Sequence, residues 1–458
     1  YFLGFPPLHS GGLMIYARDL SKELSKFDNK VIMLMPGECI NFKRRSLIKF
    51  YKFQESFPVY KITNSQPVSF SGVDIPEKFI EKKPNNNYKD FLNKNKIDII
   101  HVHSLMGLPV ELLLEAKKLG IKTVFTTHDY FGLCSKIHFY KYDNSRCEDY
   151  KNGEECVTCN YGVQSKNILR KRNLLIKVPI LHSILKKIYA HLKKDKMHEN
   201  QIIQLEKIKI NKNNAKGYVS FRQYYKEMLE NFDLILFNSE ITKSEYNKYI
   251  NLRQIKHIVL PVSHSNIKDN RQTIKYKATN NNKVIFLYMG SLSTMKGFWA
   301  LVNVLNKIKS KYKNWEINIY GDYSNIDLKN FDNKFFNFFG KYSYKDLPYI
   351  FSNSSILIIP SKCKETFGFI GLEAYSYGIP TLVADHVGFS SIIKNDITGM
   401  KYGDTPDDIF LEQKLIQLLE KPELLEMYNK NILKEKFEYT FEDHISQIIK
   451  TYQNLLKS

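Results

Sequence analysis

The sequence predicts an α/β protein made of two doubly wound domains that face each other across a cleft. Short apolar stretches alternate with amphipathic helical stretches up to residue 262, and the same alternation starts again near residue 283. Such alternation is typical of parallel sheets packed between helices. The chain has 458 residues, 43% of them hydrophobic, so it can bury two large cores and is too long for one ordinary domain.

The elements follow in order along the chain, and both domains are expected to be Rossmann-like. Residues 1–262 carry the strand-like segments "KVIMLMP", "IDIIHVHS", "KTVFTTHD" and "FDLILFNS", separated by helical ones such as "GGLMIYARDLSKEL". Residues 263–440 begin with a polar stretch and repeat the pattern with "KVIFLYMGS", "WEINIYGD", "SILIIPS" and "TLVADH". Residues 441–458 are expected to form a final helix, able to pack back on the N-terminal domain.

Composition limits the classes of function. Lys and Arg number 68 against 47 Asp and Glu, a net charge of +21, which indicates either an anionic partner or a simple compositional bias. No apolar run is long enough to span a membrane, and no G-x-G-x-x-G fingerprint of a dinucleotide-binding enzyme occurs. The chain opens at Tyr1, on what reads as the end of a first strand, so we expect residues before it.

Two glutamates stand out in "KETFGFIGLEAYSYG", residues 364–378. Glu365 is expected in the loop after a buried strand, and Glu373 in the first turn of the helix that Gly378 ends. Ligands bind at this end of the strands in open α/β sheets. Ionised carboxylates accept hydrogen bonds from sugar hydroxyls, and the backbone N–H groups from Gly368 to Gly371 suit further oxygens.

Two further strand-to-helix loops are predicted to bind anions. Gly11 and Gly12 in "PPLHSGG" would let a ligand approach backbone N–H groups at the start of a helix. Lys296 in "GSLSTMKGF" has the same placement in the second domain and could meet phosphate oxygens. Taken singly, the glycine pair is better explained by turn chemistry, and Lys296 by a solvated surface lysine.

Together these segments resemble glycosyltransferase family 4, whose members are retaining enzymes of the GT-B fold that use nucleotide-sugar donors. The resemblance covers nearly the whole chain, since "HVHS", "THDY", "FNSE", "GSLSTMKG", "IYGD", "PSKCKETFGFIGLEA" and "YGIPTLVADHVG" fall in family order. It implies two catalytic-site residues, His128 beside the transferred sugar and Glu365 at the sugar hydroxyls. It also implies a set of donor-binding residues: Gly11, Gly12, Ser291, Lys296, Gly368, Phe369, Ile370 and Glu373.

Within this set, the resemblance implies that Lys296 contacts the diphosphate and Glu373 the ribose. Ser291 stands where many members have an arginine, which bears on donor preference and on the strength of phosphate binding. His103 ends a strand and is as readily a buried structural histidine as a functional one. No cofactor is expected for catalysis, because the family's front-face mechanism lets the donor phosphate accept the acceptor's proton.

The expected function is a retaining glycosyltransferase of the hexosyltransferase type, acting on a glycan or lipid-linked acceptor in surface polysaccharide biosynthesis. The alternatives are a nucleotide-sugar epimerase of the same architecture and a non-catalytic basic binding protein. A retaining glycosidase would use the two carboxylates roughly 5 Å apart, but it would not need phosphate sites at Gly12 and Lys296. We expect a cytoplasmic protein that can lie at the inner face of the membrane.

The family pattern does not explain the role of two inserted segments. Cys134, Cys147, Cys156 and Cys159 lie in a polar loop, residues 134–159, and end in C-x2-C. Four thiols so spaced fit a structural zinc site, and the alternatives are two disulfides or free cysteines. Cys39 and Cys363 stand apart and are expected to be ordinary.

The second insertion, residues 160–215, is basic and helical in pattern. Its residues 166–196 contain ten Lys or Arg and one acidic residue, with lysines opposite an apolar helical face. A helix of this kind can lie on an anionic membrane surface, or it can be a solvated helix packed on its own domain. No nucleic-acid-binding signature is present, so nucleic acid is not expected as a partner.

Overall fold

The computed structural model describes residues 1–4, 11–27, 29–37, 45–54, 57–69, 71–83, 87–163, 212–403, 405 and 408–458. Two α/β domains are present, each organised around its own sheet. The predicted two-domain α/β architecture is therefore confirmed. The basic segment 166–196 lies outside the described residues, as does Cys39.

The N-terminal sheet combines a three-stranded and a four-stranded part. Strand β1 pairs parallel with β3, β3 pairs antiparallel with β2, and β4 to β7 are parallel in chain order. Phe2 joins the two parts, because its backbone bridges Leu34 on one side and Val102 on the other. The bounds are β1 Met33–Pro36, β2 Leu47–Gln54, β3 Phe57–Thr63, β4 Ile99–Val102, β5 Lys122–Thr126, β6 Leu234–Phe237 and β7 His257–Val259.

The C-terminal sheet has six parallel strands in the order β10-β9-β8-β11-β12-β13. Counted within the domain this is 3-2-1-4-5-6, the doubly wound order, with its reversal between β8 and β11. Strands β8, β11 and β12 are buried along their whole length, as expected for a parallel sheet covered on both faces. The bounds are β8 Val284–Met289, β9 Trp315–Tyr320, β10 Phe336–Gly340, β11 Ile356–Ile359, β12 Thr381–Ala384 and β13 Gly399–Tyr402.

The helices of the described residues are numbered in chain order. In the N-terminal half they are α1 Gly12–Leu24, α2 Tyr88–Asn95, α3 Val110–Lys118, α4 Glu154–Cys159, α5 Lys212–Glu230 and α6 Glu240–Asn247. In the C-terminal half they are α7 Phe298–Ile308, α8 Leu347–Ser352, α9 Phe369–Ser376, α10 Ile409–Glu420, α11 Glu423–Lys434 and α12 Phe441–Lys457.

The last helix, α12, packs against the N-terminal domain. The hydroxyl of Tyr16 on α1 lies 3.0 Å from Nε2 of His444, and the hydroxyls of Tyr1 and Tyr452 lie 2.8 Å apart. Thr440 caps the start of helix α12, because its side chain accepts a hydrogen bond from the backbone N–H of Asp443. After the C-terminal domain the chain therefore returns to the N-terminal domain, and α12 connects the two domains through these contacts.

Candidate active site

A cavity opens where the strand order of the C-terminal sheet reverses. This first cavity, of about 270 Å³, lies at the carboxyl ends of β8 and β11, the place where open α/β sheets bind ligands. Every residue that the sequence assigns to donor binding lines it, and so does Glu365. These residues are Gly11, Gly12, Ser291, Lys296, Gly368, Phe369, Ile370 and Glu373.

Lys296 and Glu365 form an ion pair at the centre of the site. Lys296 follows β8, Glu365 follows β11, and the ammonium nitrogen lies 2.9 Å from Oε1 of the carboxylate. Burial alone would raise the pKa of Glu365, but Lys296 and the Ser361 hydroxyl bring it below its ordinary value. Glu365 is therefore ionised at neutral pH and suited to accept hydrogen bonds rather than to act as a general acid.

Glu373 contacts His264, a residue that the sequence analysis did not identify as part of the site. Oε1 of this buried carboxylate lies 3.3 Å from Nε2 of His264, which comes from the stretch interpreted as a polar linker. Helix α9 begins at Phe369, so Glu373 lies in its second turn and the expectation of the first turn is wrong. At this position the carboxylate lines the first cavity and lies beside His264.

The start of α9 lines the first cavity, and α7 begins two residues after Lys296. Gly297 and Gly368 precede these helices with φ angles of 71° and 99°, which only glycine adopts without strain. The domains come close at this point, since a Cβ atom on Gly12 would lie 2.9 Å from the ring of Phe369. Free N–H groups at the helix starts therefore add positive potential to a narrow cleft.

His128 lies across the cleft, at the end of β5. Nε2 of His128 is 3.3 Å from Nδ1 of His103, and burial lowers the pKa of His128 to about 3. The hydroxyl of Thr366 donates to the backbone carbonyl of His128, at 2.9 Å, and so links it to the loop of Glu365. His128 is neutral at neutral pH. His103 is fully buried beside it and lines neither the first cavity nor the second cavity described next.

A second cavity, of about 300 Å³, adjoins the first and shares Lys296 and Glu365 with it. Its remaining wall comes mainly from the N-terminal domain and includes His128, Asp129, His138 and Asn238. Burial raises the pKa of Asp129 to about 6, although its carboxylate accepts hydrogen bonds from Phe131 and Ser104. The sequence analysis singled out none of Asp129, His138 and Asn238, although Asp129 and Asn238 lie in the quoted segments "THDY" and "FNSE". His138 comes from the cysteine-rich loop, residues 134–159, and has no such local signal.

The four clustered cysteines come together around an arginine. All four are buried free thiols, and the guanidinium of Arg222 on α5 lies among them, with Nη2 3.5 Å from Sγ of Cys156. Burial raises the pKa of Cys147 and Cys159 to about 12. Over the described ranges, no three His, Cys, Asp or Glu side chains are arranged to hold a metal ion. The cluster as placed does not present a metal site, and zinc stays a prediction.

Two family models match the chain, one on each side of this cleft. Residues 10–155 match the model described as Glycosyltransferase Family 4, and residues 269–435 match the model described as Glycosyl transferases group 1. The chain carries both domains of a GT4-type glycosyltransferase. The resemblance read from the motifs is thereby confirmed.

One curated relative of this glycosyltransferase comes from Klebsiella pneumoniae. It is described as an uncharacterized 41.2 kDa protein in the cps region and is 29% identical over 119 residues. The match covers 26% of this chain and 32% of that protein, so the chain matches about a third of the relative's length.

Solved structures share the fold of the glycosyltransferase at low sequence identity. A glycosyltransferase from Rickettsia africae is 16% identical with a TM-score of 0.60, covering 99% of this chain and 97% of its own. Sucrose-phosphate synthase from Thermosynechococcus elongatus is 14% identical with a TM-score of 0.58, covering 99% and 98%. The catalytic domain of starch synthase IV from Arabidopsis thaliana, bound to ADP and acarbose, is 13% identical with a TM-score of 0.51, covering 98% and 97%. These likenesses confirm the GT-B architecture.

Across the described ranges, no helix is both long and apolar enough to cross a bilayer.

Proposed function

We propose that this glycosyltransferase moves a hexose from a nucleotide diphosphate sugar to a glycan or lipid-linked acceptor, with retention of anomeric configuration. One observation carries the proposal. A single cavity at the switch point of the C-terminal sheet gathers a lysine, two carboxylates and the starts of two helices, α1 and α9. A nucleotide sugar requires the same combination, because it carries a diphosphate between two hydroxyl-bearing rings.

The proposed donor contacts follow from charge. Lys296 and the N–H groups at the starts of α1 and α9 would hold the diphosphate. Glu373 would accept hydrogen bonds from the ribose hydroxyls, and His264 would keep that carboxylate oriented. Glu365 would face the sugar hydroxyls, where its negative charge also stabilises positive character at the anomeric carbon.

In the proposed reaction the acceptor oxygen bonds to the anomeric carbon while the bond from that carbon to the diphosphate oxygen breaks. The electron pair of the broken bond leaves with the nucleoside diphosphate, and the acceptor's proton passes to a phosphate oxygen. Attack and departure then occur on the same face of the sugar, which retains the configuration. No side-chain base is needed, in agreement with the lowered pKa of His128, about 3, which makes its imidazole a weak proton acceptor.

The biological setting proposed is surface polysaccharide assembly at the cytoplasmic face of the membrane. Support comes from the cps-region description of the Klebsiella pneumoniae relative and from the net charge of +21, which favours anionic surfaces. The basic segment 166–196 would provide the membrane contact in this proposal.

The decisive experiment combines binding with product analysis. A thermal-shift panel of nucleoside diphosphates and nucleotide sugars should reveal one preferred base, because a ligand at about 100 times its Kd stabilises by about 2.7 kcal/mol. NMR of the product made from the preferred donor should then show a new glycoside with the donor's anomeric configuration.

Other outcomes separate the competing functions. Isomerisation of the donor without acceptor would indicate an epimerase, and binding of no nucleotide at all would reject the donor cavity. A sugar trapped covalently on Glu365 or Glu373 would replace the front-face mechanism with a double displacement.

A further inference from the structure

The loop that carries Glu365 belongs to the C-terminal domain but is held by the N-terminal domain. This Glu365 loop, residues 360–368, connects β11 to α9. On one side of Glu365, the carbonyl oxygen of Thr366 lies 2.8 Å from the hydroxyls of both Ser239 and Thr242. Because Ser239 also caps helix α6, these hydroxyls are fixed to a regular element of the N-terminal domain.

Lys364 anchors the loop on the other side of Glu365. Its backbone N–H donates to the carbonyl of His138, at 3.1 Å. Its ammonium nitrogen lies 2.9 Å from a carboxylate oxygen of Glu148 and 3.0 Å from one of Glu245. His138 and Glu148 belong to the cysteine-rich loop, and Glu245 belongs to α6. One lysine of the C-terminal domain thus joins two segments of the N-terminal domain.

The ion triad of Lys364, Glu148 and Glu245 resists displacement of the loop. The side chains of Lys364 and Glu245 are only 6% and 7% exposed. A buried charge that loses its partner stays desolvated without compensation, so movement of the loop away from the N-terminal domain is unfavourable. The triad therefore favours one position of the loop relative to α6.

The triad lies outside the cavities assigned to the reaction. Glu148 and Glu245 line a third cavity, of about 200 Å³, and neither of them lines the first or the second cavity. The ammonium of Lys364 also lies 5.1 Å from the centre of the Phe139 ring, a cation–π contact. The charge of Lys364 is thus engaged by protein groups and acts on the donor through the loop.

The position of Glu365 depends on this anchor. Glu365 follows Lys364 directly in the chain, and its carboxylate lies 2.9 Å from the ammonium of Lys296 in the first cavity. A displacement of about 1 Å at a reacting group can lower a rate about 10²-fold. Small movements of the loop should therefore be measurable as changes in turnover.

We propose that Lys364 is a positioning residue for the transfer reaction. By bridging Glu148 and Glu245 it fixes the Glu365 loop on the N-terminal domain and sets the position of the Glu365 carboxylate. This inference rests on the proposed function and adds a residue to which the sequence analysis gave no role. It also gives the cysteine-rich loop a role, which is to supply Glu148 and the carbonyl of His138 to the anchor.

The test compares turnover, nucleotide affinity and hydrogen exchange in variants of the full chain. Lys364→Met removes the charge and keeps the length of the side chain. The transfer rate with the preferred donor should fall at least about tenfold, while affinity for the nucleoside diphosphate stays within about twofold. Hydrogen exchange of the Glu365 loop should become faster, because the anchor is lost.

A double-mutant cycle separates loss of the ion triad from a general loss of stability. In a chain that carries both Glu148→Gln and Glu245→Gln, the further change Lys364→Met should alter turnover by no more than about twofold, because the interaction is already absent. Glu148→Gln alone, at a side chain that is 59% exposed, should fold and lower turnover roughly twofold to fivefold.

Glu240→Gln is the matched control, since Glu240 is exposed on the same helix, α6, and pairs with Lys243. It should leave turnover, affinity and exchange unchanged. Retained nucleotide affinity shows in each case that the variant is folded.

Unchanged turnover or unchanged loop exchange in Lys364→Met would overturn the proposal, as would an equally large loss in the background with both glutamines. A parallel loss of affinity and turnover would also overturn it, because Lys364 would then act on donor binding. If Lys364→Met does not fold, Glu148→Gln decides, and unchanged turnover there rejects the proposal. If the wild-type chain binds no nucleotide, the proposed function itself fails, while loop exchange still reports on the anchor.

Discussion

The two cavities of the cleft share Lys296 and Glu365 but are built in different ways. Most of the first cavity comes from loops that directly follow strands of one parallel sheet, and its residues lie in short motifs. The second cavity takes His128, His138 and Asn238 from three separate segments of the N-terminal domain. His128 and Asn238 follow strands β5 and β6, so their positions can be read locally, whereas His138 comes from a long loop and reaches the cavity only through the way the domains meet.

Loss of Glu365 should have the largest effect, because this residue belongs to both cavities. Glu365→Gln removes the negative charge beside the anomeric carbon and leaves Lys296 unpaired. Turnover should fall by roughly 10²–10³-fold, while nucleotide affinity changes little. Initial rates and calorimetry measure the two quantities, and loss of nucleotide affinity alone would show that the role is wrongly assigned.

Glu373→Gln should produce the opposite pattern, because this carboxylate belongs to the first cavity only. Nucleotide affinity should weaken by roughly 1–3 kcal/mol, with turnover at saturating donor nearly retained. Glu426→Gln is the matched control, since that exposed glutamate pairs with Lys430 on the surface of α11. A fall in turnover with unchanged affinity would contradict the distinction between the two carboxylates.

A metal bound in the cysteine-rich loop would affect the second cavity indirectly, because this loop supplies His138 to the cavity wall. If Cys134, Cys147, Cys156 and Cys159 bind zinc, purified protein should carry about one zinc per chain. Cys159→Ser should then abolish the bound metal and destabilise the N-terminal domain.

Cys363→Ser is the control for that experiment, because Cys363 is equally buried but lies outside the cluster. It should lower the melting temperature without loss of metal. Elemental analysis that finds no metal, with the four thiols counted as free after unfolding, would leave the arrangement around Arg222 as the complete description of the cluster.

The smallest effect is expected from removal of divalent metal. Lys296 and two helix starts supply the positive potential of the first cavity, and the sequence has no Asp-x-Asp motif. Chelation should leave the transfer rate unchanged, provided that any zinc in the cysteine-rich loop is assayed separately. Activity abolished by chelation and restored by magnesium or manganese would show that the first cavity needs a metal.

Much of the fold could be predicted from local pattern, and one omission shows the limit. The strands near the cleft are short apolar runs, so their positions followed from composition alone. The antiparallel pair β2 and β3 was not anticipated, because lysines interrupt β2 and Pro58 lies within β3. Proline is tolerated in a strand only where no ladder hydrogen bond is required of it, and that depends on the neighbouring strand.

The sequence by itself determined the two-domain α/β architecture, the family, and several of the residues that line the first cavity. Each of these depends on residues close together in the chain, at the carboxyl ends of parallel strands that a sheet must bring to one edge. The tertiary structure decided the partners: His264 beside Glu373, Lys364 between Glu148 and Glu245, and His138 opposite Lys296. These pairs join residues more than a hundred positions apart, so no local pattern encodes them, and only tertiary packing, within the C-terminal domain for His264 and Glu373 and between the domains for the others, creates them.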